Sequence, residues 1–93
     1  MLMLVALYRK NSEQARPVYE FIEMMRRRYP DRVIRELDID TRDGAAEANL
    51  YGIMNFPAII STSIDGRLLG LWEGTPLPLI DEVIGSAVEL QTV

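Results

Sequence analysis

Along the chain, runs of apolar residues alternate with amphipathic stretches, and the spacing predicts seven elements. Met1 to Tyr8 is the longest apolar run, Val/Leu-rich and short, which reads as a strand buried on both faces. Asn11 or Ser12 is the expected N-cap of a first helix, with Asn11 and Gln14 spaced as in a capping box. Val18, Phe21, Ile22, Met25 and Tyr29 then follow the helical period to about Tyr29. Pro17 lies inside that helix, where it is expected to bend it, and Pro30 stops it. Val33 to Ile39 alternates imperfectly and reads as a second strand. Asp43 to Leu50, with Ala45, Ala46 and Ala48, reads as a short helix. Ala58 to Ser63 and Arg67 to Glu73 are two β-like runs joined at Ile64-Asp65-Gly66, a hairpin signal. Gly74-Thr75-Pro76 is expected to open a last helix, with Ile80, Val83, Ile84, Ala87 and Val88 on one face.

The order β-α-β-α-β-β-α makes one α/β domain spanning residues 1–93. The first two strands should be parallel, the last two an antiparallel hairpin, with helices on both faces of a mixed four-stranded sheet. Ninety-three residues, 48% hydrophobic and 26% charged, suit a single globular core. No run is long enough to cross a membrane, and the opening apolar run lacks the flanks of a signal peptide. A cytoplasmic protein with no membrane partner is the expectation.

Charge sharpens the picture. Residues 1–42 carry nine basic and seven acidic side chains, while residues 43–93 carry seven acids and Arg67 alone as a base. An acidic chain is poorly suited to neutralising phosphates, so no nucleic-acid partner is expected. The Arg26-Arg27-Arg28 cluster falls at the end of the first predicted helix, where cations complement the helix dipole.

The chain has no histidine and no cysteine. It therefore lacks an imidazole base, a thiolate nucleophile and the ordinary ligands of zinc. Asp38, Asp40 and Asp43 fall at positions 1, 3 and 6 of a would-be calcium loop. That loop needs glycine at position 6 and glutamate at 12, where this chain has Asp43 and Asn49. The pattern fails, and neither metal nor cofactor is expected. These acids should end a strand and cap the next helix.

Several residues in order carry a resemblance. Tyr51-Gly52-Ile53-Met54-Asn55-Phe56-Pro57 is followed at once by the apolar Ala58-Ile59-Ile60. A hairpin tip ends at Asp65-Gly66, with Gly74 eight residues on. Leu37-Asp38-Ile39-Asp40 and Pro17 precede them. The set resembles the thioredoxin family, and the resemblance spans nearly the whole chain. It implies a thioredoxin-like fold and a cis bond at Pro57. Counting back from Pro17, the family's Cys-X-X-Cys falls on Arg9-Lys10-Asn11-Ser12. The same count places Met3 at the family's buried acid, Glu36 at its lysine partner and Tyr8 at the tryptophan before the motif. Disulfide exchange needs a thiolate attacking sulfur, so a chain without cysteine cannot perform it.

The family binds extended peptides on a shallow surface made by three loops, partly through main-chain hydrogen bonds. The resemblance places that inherited groove at Tyr8, Arg9, Lys10, Asn11 and Ser12, at Asn55, Phe56 and Pro57, and at Glu73 and Gly74. It implies a redox-inactive module that binds a protein or peptide. Two alternatives stand beside it. One is a glutathione-binding, transferase-like enzyme domain using Tyr8 or Ser12, although the acidic-Ser pair and helical second domain of those enzymes are missing. The other is a structural module that self-associates through the edge strand at Trp72, giving a homodimer. Along Arg67 to Glu73, strict alternation places Leu68, Gly70 and Trp72 on one face, and Leu69, Leu71 and Glu73 on the other.

Overall fold

Central burial decides which strand lies in the middle of the sheet. The computed structural model describes the backbone of residues 2–91 and the side chains of residues 3–85. The elements are β1 (Leu2–Tyr8), α1 (Ala15–Arg28), β2 (Val33–Asp38), α2 (Arg42–Leu50), β3 (Ala58–Ser63), β4 (Leu68–Glu73) and α3 (Ile80–Gln91). The sheet runs β2-β1-β3-β4, with β1 parallel to β2 and antiparallel to β3, and β4 antiparallel to β3. Because β1 is flanked on both sides and covered on both faces, its residues Leu4 to Tyr8 are all buried. The order and mixed sheet are those the residue pattern predicts.

Successive residues of β1 serve opposite cores. Leu4, Ala6 and Tyr8 join Val18, Phe21, Ile22 and Met25 of α1 and Ile80 and Val83 of α3. Val5 and Leu7 join Ala48 of α2 with Ile53, Ala58 and Ile60. Two helices thus cover one face and one short helix the other. Of the predicted apolar face of α3, Ala87 and Val88 lie outside the residues whose side chains are described.

Both long-helix starts differ from expectation. α1 begins at Ala15, and neither Asn11 nor Ser12 is its N-cap. Residues 9–14 instead form a turn in which Gln14 Oε1 accepts from the Arg9 N–H, while Ser12 Oγ accepts from the Gln14 N–H and donates to the Arg9 carbonyl. Pro17 accordingly stands in the first turn, where its nitrogen would have had no partner within the helix, so no helix hydrogen bond is lost there. α3 begins at Ile80 rather than at Gly74-Thr75-Pro76, and Glu82 Oε1 accepts from the Leu79 N–H at its start. The Arg26-Arg27-Arg28 cluster ends α1, each arginine paired with a carboxylate: Glu36, Glu23 and Asp81 respectively.

α2 is capped by Thr41, whose Oγ1 accepts from the Gly44 N–H and donates to the Asp38 carbonyl. The acids do not cap it; Asp38 instead accepts from the Asp40 N–H. Gly44 is needed for approach, since a Cβ there would lie 2.0 Å from the Asp38 carbonyl oxygen. Gly52, at φ +66, turns the chain out of α2.

The β3–β4 hairpin closes at Gly66, and the Ser63 hydroxyl donates to the Asp65 carboxylate. That bond, with the backbone N–H of Arg67, holds the Asp65 carboxyl below its ordinary value. The register slips between Ser61 and Thr62, leaving Leu69 as the extra residue of a β-bulge. The bulge overturns strict alternation. Leu69 and Trp72 both pack on the α1–α3 core, and Leu68 shares the α2 face with Leu71. Trp72 is half-buried there, its ring lying over Gly70, where a Cβ would sit 2.5 Å from the indole.

Candidate binding groove

Three segments remote in sequence meet at one end of the sheet, and specific hydrogen bonds tie them. Gln14 links the 9–14 turn to the proline loop: its Oε1 accepts from Arg9, and its Nε2 donates to the Phe56 carbonyl at 3.2 Å. The Gly74 N–H donates to the Pro57 carbonyl at 2.8 Å, and Glu73 Oε1 accepts from the Met54 N–H at 3.0 Å. Gly74 takes φ +78, a conformation open to glycine and strained for other residues. The Phe56–Pro57 peptide bond is cis, and so is Thr75–Pro76.

Beside these loops lies an open groove of about 580 Å³. Ile39, Ile53 and Phe56 supply its apolar surface, the small residues Ala45, Ala46 and Ala48 with Asn49 bring in α2, and Arg9 stands at its mouth. Small side chains on α2 are the reason the groove exists. Gly44 and Ala48 are the buried residues of that helix, so it lies close to the chain without filling the space beside it. The Arg9 guanidinium pairs with Asp40 at 3.2 Å, with both side chains more than half exposed. Such an exposed pair holds by roughly 1 kcal/mol or less, so Arg9 can exchange Asp40 for another carboxylate at little cost. Met54, 84% exposed, and Leu50 add apolar surface to the ends of the same loop and helix.

Apart from Tyr8, the site residues drawn from the resemblance divide into three groups. Arg9 and Phe56 line the groove. Lys10 and Asn11 are exposed on the turn beyond Arg9, and Asn55 is exposed on the proline loop. Ser12, Pro57, Glu73 and Gly74 act as framework: Pro57 is fully buried, and the other three are engaged in the bonds already described.

Tyr8 is a correction. It is fully buried on the α1–α3 side, packs edge-on against Tyr19, and its hydroxyl donates to Glu36 Oε1 at 3.0 Å. Burial, then the Tyr19 hydroxyl and the Glu36 carboxylate, push the Tyr8 phenol well above its ordinary value. A buried phenol committed to a carboxylate offers no hydroxyl to glutathione, and Ser12 has spent its own on the turn. Met3 and Glu36 also diverge. Met3 shares the face of Val5 and Leu7, whereas Glu36 bonds Tyr8 and Arg26 on the opposite face, so the two positions form no pair across the sheet.

Sequence reasoning gave no site role to Gln14 or Asp40, nor to the groove-lining Ile39, Asn49, Ile53 and α2 alanines. The alanines carry a signal only in hindsight: three within four residues mark a helix that can approach closely and leave room.

No family model matches the chain, and no curated protein matches it either. Solved structures do. A malarial protein superposes with a TM-score of 0.74 at 11% identity, covering 96% of each chain. Thioredoxin O2 of Arabidopsis thaliana gives 0.69 at 13% identity over all of this chain and 75% of its own. A thioredoxin of Fasciola hepatica gives 0.66 at 15% identity, over 98% of this chain and 79% of its own. These likenesses show the fold, which is thioredoxin-like, in a chain without cysteine.

Proposed function

We propose that this thioredoxin-like domain is a redox-inactive binding module that takes an extended segment of a protein along the groove beside Pro57. The observation that supports it most is the construction of that end of the sheet. Three loops are held to one another by side-chain and backbone hydrogen bonds around a recess that the protein's own side chains leave open. A preorganised apolar surface with few polar groups at its rim is what recognition of a peptide requires, because little ordering remains to oppose binding. Apolar side chains of the ligand fit against Ile39, Ile53 and Phe56, and an acidic residue of the ligand fits Arg9.

The reading is tested by selecting peptides from a displayed random library on the immobilised chain and following amide resonances as the best peptide is added. Shifts centred on Arg9, residues 45–49 and Phe56 are expected, with acidic and apolar residues enriched in the selected peptides. Shifts centred elsewhere, or no selection above background, would overturn it.

A further inference from the structure

The two free edges of the sheet are defended unequally. The β2 edge carries Arg35, Glu36 and Asp38, with Arg35 paired to Glu47 and Glu36 to Arg26. The β4 edge reads Leu68-Leu69-Gly70-Leu71-Trp72, uncharged between Arg67 and Glu73, with Leu68 44% and Leu71 36% exposed. Charged edge residues discourage pairing with another strand, and an apolar edge invites it.

We infer that β4 pairs antiparallel with β4 of a second copy about a twofold axis at Gly70, joining two sheets into one. The register follows from the bulge. Counting ladder steps from Gly70, with Leu69 as the extra residue, one step one way reaches Leu71 and one step the other way reaches Leu68. A twofold at Gly70 therefore sets Leu71 opposite Leu68 of the second copy, twice, on the α2 face they share. The next step sets Trp72 opposite Arg67 of the second copy on the α1–α3 face, because Arg67 pairs with Ser63 across the hairpin. Leucines that a monomer leaves in water cover each other, and the cation meets an indole ring, a favourable contact in this geometry.

This self-complementarity is what selects a second copy over a foreign strand. Residues 67–72 of one chain carry both kinds of partner, Leu68 with Leu71 and the Trp72 ring with the Arg67 cation, so each copy offers the other what it needs. A closed twofold dimer results, whereas β4 on β2 would bring leucines against Arg35 and Glu36 and leave edges open for further growth. The inference is independent of the groove.

Sedimentation velocity on the full chain, from micromolar to millimolar, tests the association. Wild type is expected to approach twice the chain mass and Leu71→Lys to remain monomeric, with unchanged circular dichroism. The sole tryptophan should shift its emission on dilution of wild type and not of the variant. The register is tested in the cysteine-free background. Leu68→Cys/Leu71→Cys should form a covalent dimer under mild oxidation, since those positions face each other at disulfide distance. Leu71→Cys alone should not, because its two copies sit two ladder steps apart. A monomeric wild type across the range, a dimer that survives Leu71→Lys, or equal cross-linking by the single variant would overturn the inference.

Discussion

The two faces of the sheet are built to different standards of coverage. On the α1–α3 face, two helices press Val18, Phe21, Ile22, Met25, Ile80 and Val83 onto the strands. On the other, the nine residues of α2 contribute Gly44 and Ala48 to the buried set, and the groove opens beside them. Burial of apolar surface is the dominant favourable term in folding, so the first face secures the structure. The second gives up coverage and gains a recess. That division explains how a chain of this size can hold an unfilled surface and still fold.

Substitutions that separate the faces should rank accordingly. Met25→Ala on the well-covered face is expected to cost about 2–5 kcal/mol, read as a lower urea midpoint, because the side chain is fully buried and the site cannot collapse freely. A loss within about 0.5 kcal/mol would mean that the α1–α3 core does not dominate stability.

Tyr8→Phe should cost about 1.5–3 kcal/mol, since it removes a bond to a charged acceptor. It also carries a pH signature. The folded-state value of the phenol lies above the unfolded one, so its contribution is complete below the ordinary tyrosine range and is lost as pH rises beyond it. Denaturation profiles of the phenylalanine variant should fall less steeply above about pH 10 than those of wild type. Parallel profiles would contradict the assignment.

Gly44→Ala tests the one tight place on the sparsely covered face. Intrinsic helix propensity favours alanine by about 1 kcal/mol, yet the added carbon meets the Asp38 backbone. A net loss of about 1–3 kcal/mol is expected by thermal melting, and a gain would show that α2 can back away from the sheet.

Much of this architecture is written in the residue pattern. The buried strand β1 reads directly from Met1 to Tyr8, and α1 from the spacing of Val18, Phe21, Ile22 and Met25. The starts of α1 and α3 do not, because a Gln14 side chain reaching a neighbouring turn and a chain passing Pro76 and Pro78 before Ile80 override local cap signals. The faces of Leu68 and Leu69 are hidden by one bulged residue, Leu69, which swaps the assignments at that end of the strand and leaves Gly70 and Trp72 together as alternation places them. Tyr8 is legible as a strand residue and misread as a groove residue, since its partner Glu36 lies 28 positions away. The groove itself is a property of packing. Ala45, Ala46 and Ala48 announce a helix, while the space they leave depends on how closely Gly44 lets that helix approach.

The most direct measurement compares the affinity of one selected peptide for wild type, Ala46→Trp and Leu71→Lys by calorimetry. Ala46 is exposed on α2 and lines the groove, so a tryptophan there fills the recess without disturbing a buried contact. The groove account predicts a loss of about tenfold or more for Ala46→Trp, equivalent to about 1.4 kcal/mol, with Leu71→Lys unchanged. Full affinity in Ala46→Trp and a loss in Leu71→Lys would place recognition on the edge strand and contradict it.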